Sequence, residues 1–241
     1  TECLVVLTSK DLNLDKGNLS KKVLKEGGPD LAKEIRSKFK GITLGNGTFI
    51  STSPGNLKHK GVKRLIFGHL PKWYNHTVRL KVLQQFVEGC LIEADEQDCK
   101  SIAFPALGTG NLEYPPRDVA TAMLDGIESY TEESMIAKLK TVYITTTDDA
   151  MFQILGMEQK NRGDQNTRGD GDIANDAEIL SSNDNRINYT VVMERHLQTN
   201  PSGKFVKVQF MLRLEAGSMN CPTQWLLLIG CGTTQKDLEK A

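Results

Sequence analysis

The stretch with the clearest chemical meaning is Ser101-Ile102-Ala103-Phe104-Pro105-Ala106-Leu107-Gly108-Thr109-Gly110-Asn111-Leu112-Glu113-Tyr114-Pro115-Pro116. Its first half, Ser101 to Ala106, reads as a short buried strand. Two glycines follow in a loop, and a helix is expected to start at Pro116, where a missing N–H costs nothing. Glycines in a strand-to-helix turn let the backbone approach a ligand closely and aim its N–H groups at an anion. Phosphate binding is the chemistry such a turn can do. It is not a P-loop, because no Gly-Lys-Ser/Thr follows, and a dinucleotide fingerprint would need a third glycine.

The elements around this turn alternate. Strand-like runs lie at residues 1–7, 48–52, 62–70 and 141–147, besides the strand already described. Residues 77–94 carry Val78, Val82, Phe86, Cys90 and Ala94 in one row, the stripe of a helix packed on a sheet. Residues 117–130 repeat that pattern with Val119, Ala122, Met123 and Ile127. Residues 19–39 predict two short helices broken at Gly27-Gly28-Pro29. Asp148-Asp149 is placed to cap a further short helix holding Phe152 and Leu155. The order predicts an α/β layered sheet over residues 1–157.

Composition excludes several classes. With 30 basic and 30 acidic residues the formal charge is zero, so nothing global points to nucleic acid or an anionic membrane. No apolar run is long enough to cross a bilayer. The five cysteines form no CxxC pair, which argues against a zinc site or disulfide framework and fits a reducing, intracellular compartment.

The string from Phe104 to Pro115 closely resembles the second ligand loop of macrodomains, the modules that bind ADP-ribose. The form is similar to that of macrodomains carried in tandem by large antiviral mono-ADP-ribosyltransferases of the poly(ADP-ribose) polymerase family. The opening TECLVVLTSKDLNLDKGNLSKKVLKEGGPDL fits the same family without a gap, with Gly17, Leu19, Ser20, Leu24, Gly28, Pro29 and Leu31 on matching positions. Pro54-Gly55-Asn56-Leu57, Pro71 and Trp73 match further on. The resemblance implies a three-layer α/β/α fold with a mixed sheet, whose N-terminal strand is expected to be truncated here. It also implies a diphosphate held between Gly17, Asn18 and Leu19 on one loop and Gly108, Thr109, Gly110, Asn111, Leu112 and Tyr114 on the other. Thr109 would add a hydroxyl donor. No metal, cofactor or catalytic residue is implied, and the setting would be cytoplasm or nucleus.

Departures from the pattern shape the functional expectation. Val6 and Ser9 stand where the family has asparagines, the first of which contacts the distal ribose. Thr147 stands where an aromatic residue often meets the adenosine. His69 lies on the strand of residues 62–70 and is read as a partly buried structural histidine. Because no side chain aligned for positioning water is present, a reader of ADP-ribose or of mono-ADP-ribosylated proteins is preferred. The alternatives are an ADP-ribosylhydrolase and a decayed scaffold serving protein contacts. Residues 158–186 are polar and rich in Asn, Asp and Gly, and predict a linker. Residues 187–241 carry strand-like runs at 188–194, 204–213 and 224–230, predicting a small β-rich C-terminal appendage of unassigned role.

Overall fold

A computed structural model of the chain describes residues 1–74, 76–133, 138–166, 189–199 and 205–216. The expected linker from residue 167 onward and the expected strand at 224–230 lie outside the described residues. Seven strands form one mixed sheet: β1 (Cys3–Leu7), β2 (Thr48–Thr52), β3 (Arg64–His69), β4 (Ser101–Pro105), β5 (Thr141–Thr146), β6 (Tyr189–Thr199) and β7 (Phe205–Ala216), in the order β2-β3-β1-β4-β5-β7-β6. β1 runs parallel to both β3 and β4, and β4 parallel to β5. β2 is antiparallel to β3, and the β6–β7 hairpin joins the other end of the sheet through an antiparallel pairing of β7 with β5. The tail strands therefore continue the main sheet.

Alternation along the strands sends side chains to two cores. Val5 and Ile66 face one side, where α2 (His76–Glu96), α3 (Pro116–Glu133) and α4 (Asp149–Asn166) contribute Phe86, Met123 and Leu155. Val6, Leu65 and Phe67 face the other side, against Val23 and Leu31 of α1 (Asn18–Lys38). This is the three-layer arrangement expected from the sequence.

The break expected in α1 is present. Gly28 adopts φ 75° and ψ −167°, outside helical values. The turn at residues 55–60 packs into that kink so tightly that a Cβ on Gly55 would sit 2.2 Å from the Gly27 carbonyl oxygen.

At the other end of the sheet, α4 begins under the Asp148 side chain, whose Oδ1 accepts from the Ala150 N–H at 3.0 Å. It then continues to Asn166, so residues 158–166, which composition assigns to the linker, are helical. Arg162 explains the extension. Its guanidinium meets Asp125 at 2.7 Å, Glu128 at 2.8 Å and Glu158 at 3.0 Å, and donates to the Thr121 carbonyl at 3.1 Å. Arg162→Ala leaves carboxylates of α3 without their cation and is expected to cost about 2 kcal/mol. Thermal melting should fall by about 4–8 °C; an unchanged midpoint would show that these pairs do not hold α4.

Candidate functional site

β1 is the point at which the chain reverses across the sheet: it first goes to β3 on one side, then returns to β4 on the other. Ligands of open α/β sheets bind in the crevice beyond the carboxyl ends of the strands at such a point. Here a cavity of about 560 Å³ opens there, lined by Leu7 to Asp11, Lys16 to Leu19, His69, Leu70, Pro105, Ala106, Gly108 and Gly110 to Leu112.

One wall is the loop between β1 and α1. The Thr8 N–H donates to the Gly68 carbonyl at 2.8 Å and so prolongs the β1–β3 ladder by one residue. Ser9 donates to Asp11 at 2.5 Å, and Lys16 meets the same carboxylate at 2.9 Å. The Ser9 hydroxyl first, and then the Lys16 ammonium, hold the Asp11 carboxyl below the ordinary carboxylate range. The acid of this loop that lines the cavity, Asp11, is therefore occupied within its own wall. Lys10 is exposed beside it, so the wall carries more positive than negative charge.

At the end of this loop α1 begins. Its N-cap, Gly17, offers no side chain to the first turn, and the first bond back to Gly17 comes from the Lys21 N–H at 3.0 Å. The amides before Lys21 have no carbonyl within the helix, which leaves the partial positive charge of the helix start facing the cavity.

The opposite wall is the turn after β4. Gly108 has φ 78°, and a Cβ there would lie 2.9 Å from the Tyr114 ring, so only glycine fits. The Tyr114 and Glu113 N–H groups donate to the Gly108 and Gly110 carbonyls at 3.0 and 2.9 Å, folding the turn tightly. At Gly110 an added Cβ would meet nothing within 4 Å.

Of the residues expected to touch a ligand, Gly17, Asn18, Leu19, Gly108, Gly110, Asn111 and Leu112 are brought together around one cavity. Thr109 and Tyr114 have other places. The Thr109 hydroxyl donates to the Ala106 carbonyl at 3.1 Å, satisfying itself inside the turn. Tyr114 is buried, its hydroxyl donates to the Pro71 carbonyl at 2.9 Å, and its ring lies 5.0 Å from that of Trp73. It supports Gly108 from behind. Thr8, Lys10 and Lys16 were not expected in the wall. The only sequence signal for them is their closeness to Gly17 and to the end of β1.

The fold and this crevice define a class: an α/β/α module that presents an uncapped helix start and a glycine turn to one cavity. The chain belongs to the macrodomain family. The family profile described as Macro domain matches residues 8–123. The chain is 32% identical over 139 residues to macro domain-containing protein TTE0995 of Caldanaerobacter subterraneus subsp. tengcongensis, covering 56% of this chain and 77% of that protein. It is 30% identical over 173 residues to the human protein mono-ADP-ribosyltransferase PARP14, covering 70% of this chain but spanning only 9% of that protein's length. Among solved structures, the Oceanobacillus iheyensis macrodomain with ADP matches at a TM-score of 0.58 and 21% identity, over 68% of this chain and 86% of the other.

Proposed function

We propose that this chain is a binding module for ADP-ribose, reading the free nucleotide or the mono-ADP-ribosyl group on other proteins. The observation that carries the proposal is the meeting of the uncapped start of α1 with the Gly108–Gly110 turn across one cavity. A diphosphate placed between them accepts hydrogen bonds from backbone N–H groups on both sides, with Lys10 and Lys16 adding charge. Relatives support the ligand class, since solved macrodomains carry ADP in the Oceanobacillus iheyensis and Trypanosoma brucei proteins.

The state of the wall supports a reading of binding without hydrolysis. A hydrolase needs a group that positions or activates water. The carboxylate of this wall, Asp11, is taken up by Ser9 and Lys16, and Val6 on β1 is buried and apolar. Isothermal titration should give binding of ADP-ribose that AMP does not match. A mono-ADP-ribosylated acceptor should remain intact over hours with the protein present. Steady release of ADP-ribose would make this a hydrolase, and the absence of any heat at millimolar ligand would favour a scaffold without a working site.

A further inference from the structure

The carboxyl end of β3 brings an imidazole into the cavity that diphosphate binding does not employ. His69 is partly buried, and its Nδ1 lies 3.2 Å from the Thr8 carbonyl oxygen. A carbonyl oxygen only accepts, so the proton of the neutral ring is on Nδ1 and Nε2 carries a bare lone pair. Among the described residues no protein donor is paired with Nε2. Its neighbours along the cavity, Leu7 and Leu70, are apolar, and the Thr8 hydroxyl is sealed from solvent without a hydrogen-bond partner.

A lone acceptor in an apolar wall selects for a donor and repels another acceptor. Ionised phosphate oxygens are acceptors only. Sugar hydroxyls are donors that rotate to suit the acceptor. Position agrees with this choice. The loops that face each other across the crevice follow β1 and β4, whereas β3 lies on the other side of β1. A diphosphate between the two loops therefore sends one of its two ends over His69.

We propose that His69 determines specificity at this site: its Nε2 accepts a hydrogen bond from a hydroxyl of the terminal ribose, the one that lies beyond the diphosphate and that ADP lacks. The cavity then prefers a nucleoside diphosphate-sugar over a nucleoside diphosphate that ends in a free phosphate. This rests on the ADP-ribose reading above. The test is calorimetric titration of wild-type protein and His69→Leu with ADP-ribose and with ADP. Wild-type protein should bind ADP-ribose more tightly than ADP. His69→Leu should lose about five- to tenfold in affinity for ADP-ribose, the effect of one hydrogen bond. Its affinity for ADP should change by less than about twofold on the same argument, which also reports that the variant is folded. Equal losses for both ligands would overturn the proposal, because His69 would then act on a part that the two ligands share or by holding Thr8. Unchanged affinity for ADP-ribose would overturn it as well. Wild-type protein that bound neither nucleotide would refute the ADP-ribose reading itself, and this inference with it.

Discussion

Gly110→Glu is expected to fold and melt like the wild-type protein and to bind ADP-ribose about a hundredfold more weakly. The separation of stability from binding comes from the backbone at this residue. Gly110 has no positive φ, and a Cβ there would meet nothing within 4 Å. The side chain thus has room, but the room is the cavity itself. A carboxylate held at about 6 Å from a diphosphate charge, at an effective dielectric constant of about 20, costs about 3 kcal/mol. Gly110→Gln, which keeps the size and removes the charge, should lose much less. If the Glu and Gln variants weakened binding equally, steric filling and not charge would be the cause. If neither did, the diphosphate would not lie against this turn. Gly108→Ala is a poor substitute for this experiment, because its strain and the Tyr114 ring would lower stability too.

The largest effect on stability is expected at Gly55. Its φ is +55°, and an added Cβ would sit 2.2 Å from the Gly27 carbonyl oxygen and 3.1 Å from Leu31 Cβ. The first of these is backbone at the kink of α1, so no rotamer change relieves the clash. Gly55→Ala should therefore cost about 3–5 kcal/mol and lower the melting midpoint by roughly 10 °C or more. Gly61→Ala provides the comparison. That residue ends the same turn at φ +79°, and its Cβ would meet nothing within 4 Å, so only backbone strain of about 1–2 kcal/mol remains. Denaturant titration of both variants separates the contact from the strain. Similar losses in the two would mean that the turn does not press on the kink.

Much of this arrangement is legible in the chain itself. The turn after β4 is bounded by a buried strand and by two prolines, and both ends lie where those residues require. Gly27-Gly28-Pro29 announces the kink of α1, because a helix tolerates neither the freedom of the glycines nor the missing N–H of the proline in its interior. Other features depend on distances that sequence does not contain. Arg162 extends α4 through Asp125 and Glu128 of α3, which nothing local connects to it. Thr109 has the right chemistry for a phosphate, yet the tightness of its own turn brings the Ala106 carbonyl within reach first. His69 becomes a feature of the cavity only because β1 and β3 are adjacent and in register, which places its ring against the Thr8 carbonyl.

The pairing of β7 with β5 has a consequence for how this chain is made. β5 ends at Thr146, and its partner starts at Phe205, about 60 residues later. A ribosome adding about 5–20 residues per second delivers the partner several seconds after β5 has emerged. During that interval the parallel layer from β3 to β5 can assemble, since each of those strands is already present. The outer side of β5 then shows a row of unpaired N–H and C=O groups to solvent or to neighbouring nascent chains, the kind of edge that templates aggregation. The late strand thus acts on this growing chain as a self-supplied cover, and synthesis that stalls between the two strands would release a sheet with an open side.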